Sequence, residues 1–578
     1  MYCPGSADRK IRAAMQIIRQ PKVYDVCIVG SGAGGGMAAK VLCEAGADVV
    51  MLEAGPMWDA ATDSKMSAWS YDSPRRGAAT PSKPFGEFDG CLGGWDIEGE
   101  PYTQADGSAF DWFRGRMLGG RTNHWGRISL RMGPDDFRRR SLDGLGDDWP
   151  IGYDDIKPYY DKLDRLVGIF GSIENLPNEP DGVFLPPPKP RCYELLIKQA
   201  ADALKITCVA NRLSILTRPL NGRPACHYCG QCGRGCATHS NFSSPSVLLP
   251  PALATGKLRI VTGAMAREVL TDDSGLATGV SYVNKADRRD YAVRARIVVL
   301  AASACETARL LLNSTSGRFP DGLANSSGAV GRNLTDSTGL GVSGHIPKME
   351  HGVAHNEDGA SGAHLYMPWW LDNSKLDFPR GYHIELGGGR RMPGFGILGA
   401  IQRFNGVGGY GRSLKDDYRR FYGATVNFAG RGEMIPNPDT YCEIDPNVVD
   451  AYGIPVLRFH ARFSDHEVLQ AKHMQETFRE LIHTMGGTPL TPMPTREQNY
   501  GLENVGRIIH DVGTTRMGSD PATSVLNANC QAHDVKNLFV ADGGPFVSNA
   551  HKNCTWTILA LAMRTAEHIA LSRNQGTL

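Results

Sequence analysis

Four thiols fall within one short stretch of this chain, ACHYCGQCGRGCATHS, as Cys226, Cys229, Cys232 and Cys236. Their spacing, C-x2-C-x2-C-x3-C, matches the bacterial ferredoxin run, except that Ala237 follows where that run has proline. The spacing favours an iron–sulfur cluster, either [3Fe–4S] or [4Fe–4S]. Structural zinc usually takes its ligands as two separated pairs, so zinc is the second reading even with His227 and His239 nearby. Disulfides are disfavoured because the loops between these cysteines are so short. A second constellation sits near the start, where Gly30, Gly32 and Gly35 of GSGAGGG fit G-x-G-x-x-G and Glu53 follows about twenty residues on. In such a motif the first glycine makes the turn, the second admits a pyrophosphate to the backbone, and the third lets helix and strand pack closely.

These residues need a frame. The segment VYDVCIVGSGAGGGMAAKVLCEAGADVVMLEAG predicts a buried strand from Tyr24 to Val29, a helix from about Gly34 to Ala45, and a second strand ending at Glu53. That βαβ unit rests a phosphate on the helix N-terminus, where unpaired N–H groups and the dipole favour an anion. It also places Glu53 to accept ribose hydroxyls. At the other end, NLFVAD reads as a strand, followed by a glycine turn and a helix from about Thr555 to Leu571.

The totals constrain the rest. A chain of 578 residues is too long for one simple core and calls for two domains or one large domain with insertions. Basic and acidic residues number 62 and 61, giving a net charge of +1, with 41% apolar residues. That balance argues against a nucleic-acid partner and for a small neutral one. Most of the 14 cysteines are scattered, Cys27 and Cys43 among them, as suits small packed hydrophobes. Residues 1–20 hold no apolar run of signal-peptide length, and no transmembrane segment is expected anywhere. The period-free stretch GGWDIEGEPYTQADGSAF is expected to be a lid or a partner contact.

The C-terminal stretch carries HDVGTTRMG, then NLFVADGG, then an Asn heading a small-residue helix. This resembles the signature of the glucose–methanol–choline (GMC) family of FAD oxidoreductases. GRMLGGRTNHWG, DWPIGYDDIKPYY, IVVLAASACETARLLLNS and VGRNLTDS match further in the family's order. The resemblance implies an α/β fold, with a Rossmann-like FAD-binding domain of GMC type and an antiparallel-sheet substrate-binding domain. The FAD domain is expected from 20–150, 225–340 and 500–578, and the substrate domain from 151–224 and 341–499. Alternating runs such as YCEIDPNVV and PVLRFHARF suit a sheet that roofs the pocket.

Oxidising an alcohol needs a neutral base for the hydroxyl proton and a donor for the forming alkoxide. The resemblance carries the first role to His510 and the second to Asn553, with His551 competing as a pair member and a helix N-cap as the plain alternative for Asn553. It sets Gly119, Gly120 and Asn123 along the flavin, His124 at a place where some relatives attach FAD covalently, and Asp542 and Gly543 against the phosphate or ribityl chain. The cysteine loop narrows the likeness to iron–sulfur-containing catalytic subunits of bacterial sugar dehydrogenases. In those glucose dehydrogenases three cysteines spaced x5 and x3 hold a [3Fe–4S] cluster, a spacing that Cys226, Cys232 and Cys236 reproduce, while Cys229 leaves [4Fe–4S] open. The resemblance then implies a dehydrogenase acting on a sugar or glycoside at C3, with aldose C1 oxidation, an oxidase and a non-redox lyase as alternatives. It also implies a small subunit, a cytochrome or quinone acceptor, and export to the periplasm on a partner's signal, the cytoplasm being the alternative. Trp369 and Trp370 offer an apolar face to a pyranose ring or merely close the domain.

Overall fold

A computed structural model describes residues 22–352, 359–368, 376–390 and 409–578, apart from 67, 81, 82, 84 and 88. Trp369 and Trp370 lie outside the described residues.

Five strands make a parallel sheet: Leu258–Thr262, Val49–Glu53, Val23–Val29, Asp290–Leu300 and Leu538–Val540, in that spatial order. Numbered along the chain, the order is 3-2-1-4-5, that of a doubly wound nucleotide-binding sheet. Val23–Val29 and Val49–Glu53 are almost wholly buried, which is why they read as apolar runs without alternation. On the edge away from Val23–Val29, the strand Asp290–Leu300 serves two neighbours. Its first half pairs antiparallel with Ala277–Asn284, which pairs in turn with Ala264–Thr271, and its last three residues pair in parallel with Leu538–Val540.

Two helices pack across this sheet, Ala33–Glu44 and the C-terminal Thr555–Asn574. Gly34 is what lets the first of them meet the end of the last strand. A Cβ there would lie 1.5 Å from the carbonyl oxygen of Ala541, at the end of the last strand, so chain start and chain end touch backbone to backbone.

A second sheet is antiparallel. Its order is Thr488–Pro489, Ser337–His345, Thr425–Glu433, Tyr382–Gly388, Leu365–Met367 and Val209–Ala210. It packs its own core, with Val342, Ile384 and Phe428 against Met474, Phe478 and Leu481 of the helix Asp465–Thr484.

YCEIDPNVV and PVLRFHARF do form antiparallel strands, Tyr441–Val449 and Pro455–His460, but outside that second sheet. Leu457 and Phe459 join the core of the parallel sheet instead, where Phe459 stacks on Phe110 at 4.1 Å. The stretch expected as a lid or partner contact contributes Thr103–Gln104 to the edge of this hairpin, and Gly93–Gly94 pairs with Arg114–Gly115. Arg309 ties the hairpin to the helix Ala304–Asn313 through Asp450 at 2.8 Å, both side chains being buried.

Candidate active site

The three motif glycines stand in three different surroundings. Gly30 turns the chain at φ 98°, and a Cβ there would strike the carbonyl of Ala301 at 2.3 Å. At Gly35 it would lie 2.0 Å from the carbonyl oxygen of Gly30, so this position closes helix against strand. Over Gly32 a Cβ meets nothing within 4 Å. Gly32 is also the N-cap of Ala33–Glu44 and offers no side-chain cap, which leaves the helix's first N–H groups facing that space.

The space belongs to a cavity. Gly30–Gly34, Glu53, Arg114–Arg116 and Gly120–Thr122 line one part of it, and His124–Gly126, Ile508–His510, Asp542, Gly543 and Asn553–Thr555 line another. Glu53 is buried; its carboxylate accepts from the Ser31 hydroxyl and from the backbone N–H of Gly55 at 2.8 Å. Ser31 Oγ accepts in turn from Gly119 N at 2.8 Å, fastening the second glycine turn over the first. Gly119 and Gly120 both take positive φ, and Gly120 places its absent side chain 4.0 Å from the Cα of Gly32. Asp542 accepts from Ser303 N at 3.1 Å, Thr307 Oγ1 at 2.5 Å and Gly544 N at 2.8 Å; burial raises its pKa to about 6. The open space over Gly32, the uncapped helix terminus and the glycine backbone on both sides fit a dinucleotide such as FAD.

Two predicted residues face elsewhere. Asn123 does not line the cavity: its Nδ2 donates to the carbonyls of Leu118 at 2.8 Å and Gly120 at 3.3 Å and so braces the turn. His551 is buried away from the cavity, where its Nε2 accepts from Lys552 Nζ at 2.7 Å and lies 3.4 Å from Glu179. Burial, with Lys552 beside it, lowers its pKa to about 4. Lys552 also pairs with Glu179 at 2.7 Å and with Asp136 at 4.0 Å, so His551 belongs to an interior ion network and is not a partner of His510.

His510 and Asn553 do meet, with Asn553 Nδ2 3.3 Å from His510 Nε2. The loop bearing His510 is clamped from behind by the Asp336 carboxylate, which accepts from His510 N at 2.8 Å and Ile508 N at 3.1 Å. Asp336 is fully buried, and burial raises its pKa to about 7. His510 Nδ1 lies 2.9 Å from Ser337 Oγ, which also accepts from Asn549 Nδ2 at 3.1 Å. Enclosure by the protein lowers the His510 pKa to about 3, and the Arg431 charge pushes the same way, so the ring is neutral near pH 7. Asn553 precedes the N-cap residue Cys554, and its side chain does not cap the helix.

The sequence reading missed the groups above this pair. Asn553 Nδ2 also donates to Glu385 Oε1 at 3.3 Å, and Glu385 Oε2 pairs with Arg431 at 3.2 Å. His383, opposite Arg431 in the strand register, lies 3.5 Å from Glu385 and donates from Nδ1 to the His551 carbonyl at 2.5 Å. Burial pushes the Glu385 carboxyl up, but Arg431 and His383 outweigh it and bring its pKa down to about 2. The second sheet thus sets a carboxylate, paired with a guanidinium, beside Asn553. The i, i+2 polar pair within the apolar strand YHIELGG was the signal available for His383 and Glu385.

His124 lines the cavity wall. Its Nδ1 lies 2.9 Å from Asp89, and its ring packs against Phe85 and Phe113 at 4.4 and 5.2 Å. The cysteine loop lies directly behind this wall. Gly90 N donates to Gly233 O at 2.8 Å, and Ile128, a lining residue, packs with Cys226 against the cluster that holds Cys232. All four cysteines of the loop are free thiols, and at Cys226 burial and the other three thiols raise the pKa to about 12. Yet no three His, Cys, Asp or Glu side chains are gathered as a metal-ligand set among the described residues. The thiols are neighbours without assembled ligand geometry.

Fold and site define a flavoprotein oxidoreductase acting on CH–OH groups. The chain belongs to the GMC oxidoreductase family, whose N-terminal and C-terminal models match residues 32–338 and 436–562. It is 29% identical over 569 residues to 2-methyl-1,2-propanediol dehydrogenase of Mycolicibacterium austroafricanum, covering 94% of this chain and 95% of that one. It is 26% identical over 580 residues to the fructose dehydrogenase large subunit of Gluconobacter japonicus, covering 96% and 98%. Among solved structures, a formate oxidase from Aspergillus oryzae superposes with a TM-score of 0.65 at 14% identity, covering 96% of this chain and 99% of that one, a likeness of fold. Among the described residues no helix is long and apolar enough to cross a membrane.

Proposed function

We propose that this chain is the catalytic subunit of an FAD-dependent dehydrogenase that oxidises a secondary hydroxyl of a sugar or glycoside, at C3 of the ring, to a ketone. One observation carries the chemistry: a neutral His510 and the amide of Asn553 meet in the wall of the dinucleotide cavity, 3.3 Å apart. A substrate oxygen entering between them donates its proton to His510 Nε2 and receives an N–H from Asn553, which stabilises the developing alkoxide. FAD, when bound, supplies the acceptor for the hydride that leaves the carbon. Glu385 and Arg431 stand beside this point as a compensated ion pair, which suits a neutral polyol better than a charged substrate. The clamp of Asp336 on the His510 backbone keeps the base in place.

The reading as a dehydrogenase rests on the cysteine loop. Its ferredoxin-like spacing and its packing near the cavity wall at Ile128 support an iron–sulfur exit for single electrons. The ligand set is not gathered among the described residues, and the proton chemistry of His510 and Asn553 does not depend on it. A small subunit, a cytochrome or quinone acceptor and export to the periplasm with that subunit complete the proposal.

The deciding experiment incubates the pure protein with methyl glucoside and, in parallel, with free glucose, each with an artificial acceptor, and locates the new carbonyl by NMR. A 3-keto product supports the reading, and a carbonyl at C1 of an aldose moves the reaction to the anomeric carbon. Iron and acid-labile sulfide are measured on the same sample; their absence removes the cluster. Absence of flavin removes the whole reading.

A further inference from the structure

Ionised carboxylate oxygens only accept hydrogen bonds, and this fixes an atom assignment that amide geometry alone leaves open. The amide atom of Asn553 that lies 3.3 Å from Glu385 Oε1 must therefore be the NH2 group. Arg431, 3.2 Å from the other carboxylate oxygen, holds Glu385 in its charged form and in place. The same NH2 group lies 3.3 Å from His510 Nε2, so its second hydrogen points at that ring nitrogen. A nitrogen facing an N–H must present its lone pair. The single proton of the neutral ring then sits on Nδ1, where it donates to Ser337 Oγ at 2.9 Å. The two lone pairs of that hydroxyl accept both this proton and the Asn549 N–H at 3.1 Å, so every partner is consistent.

We propose that Glu385, anchored by Arg431, is the positioning residue that orients the Asn553 amide and, through it, selects the His510 tautomer whose Nε2 is free to take the substrate's proton. The inference rests on His510 being the base. Loss of the carboxylate at Glu385→Gln leaves an amide that can present either its oxygen or its nitrogen to Asn553. Asn553 then turns over, and in the turned state its oxygen faces Nε2 and stabilises the unreactive Nε2–H tautomer.

The test is anaerobic stopped-flow bleaching of the bound flavin by methyl glucoside, or by whichever sugar reduces it, in H2O and D2O. His510→Ala, Glu385→Gln and Glu385→Asp are compared, each checked for bound FAD by its spectrum. Glu385→Gln is expected to lower the limiting bleaching rate about tenfold or more, as partial loss of general-base catalysis. Half-saturation should change little and the solvent isotope effect should rise, with Glu385→Asp recovering part of the rate because it keeps the charge. A Glu385→Gln protein with the parent's limiting rate and isotope effect overturns the proposal, provided His510→Ala is inactive. Undiminished bleaching in His510→Ala overturns the base assignment instead. Should Glu385→Gln fail to hold FAD, 15N-histidine NMR of the unmodified holoprotein decides alone: a proton on Nδ1 of His510 supports the proposal, and one on Nε2 overturns it.

Discussion

Replacing Gly32 by alanine separates the cofactor's demands from those of the fold. The added Cβ meets no atom within 4 Å, and φ at this residue is −66°, open to any L-residue. The protein without cofactor should therefore keep its stability to within about 0.5 kcal/mol, as for a surface change. If the pyrophosphate lies over Gly32, the methyl intrudes on it. Overpacking of that size costs about 1–3 kcal/mol, which is a loss of about 5- to 150-fold in FAD affinity. Gly35→Ala is the control with the opposite signature, because its Cβ would sit 2.0 Å from the Gly30 carbonyl oxygen and the fold itself must yield. FAD titration of apoprotein by flavin fluorescence, beside thermal melts of the same apoprotein, reads the two effects apart. Both variants are best made on a His124→Ala parent, so that a covalent bond to that ring cannot mask affinity. FAD binding within twofold of the parent, or an apoprotein as unstable as Gly35→Ala, refutes the placement of the pyrophosphate.

His510→Ala should keep its flavin and slow bleaching by sugar on the order of 10²-fold or more; unchanged bleaching in stopped flow removes the base role. Cys232→Ser should spare flavin bleaching yet slow reduction of a one-electron acceptor, and equal rates in both assays mean that the loop is no relay. Lys552→Met strands Glu179, which Lys552 and Arg212 otherwise compensate, and should cost about 3–5 kcal/mol in urea unfolding; a cost below about 1 kcal/mol would show that the network is dispensable. His551 is neutral in the folded chain, its pKa lowered to about 4 against about 6.5 unfolded. The unfolded state binds the extra proton in that window, so stability falls as pH drops from about 6.5 towards 4, by about 3 kcal/mol for this group. His551→Gln should flatten that limb of a stability–pH curve, and an unchanged slope there would assign the acid loss to other groups.

What could be read from the sequence was whatever the backbone imposes locally. Gly30, Gly32 and Gly35 had to stand at fixed offsets because turn, phosphate and helix packing each constrain one position of one contiguous βαβ unit. The parallel strands were legible for the same reason, being apolar on both faces. His510 and Asn553 came from resemblance, since nothing local distinguishes them from other histidines and asparagines. Glu385 and Arg431 stayed hidden because they reach Asn553 and His510 from neighbouring strands far away in the chain, with no spacing rule between them. Asn123 and His551 show the converse: each has the right residue type in a motif, but its side chain turns to a carbonyl or a buried lysine. The hairpin Tyr441–Val449 with Pro455–His460 alternates like a roof strand, and only its contacts with Phe110 and Trp112 show which core it serves.

The contact between Gly34 and Ala541 has an outcome for biosynthesis. A ribosome that has made the first βαβ unit has made half a receptacle; the strand and helix that complete it emerge last. Newly made polypeptide must therefore stay receptive, and shielded from aggregation, until translation is nearly finished, and only then can the coloured ligand be captured.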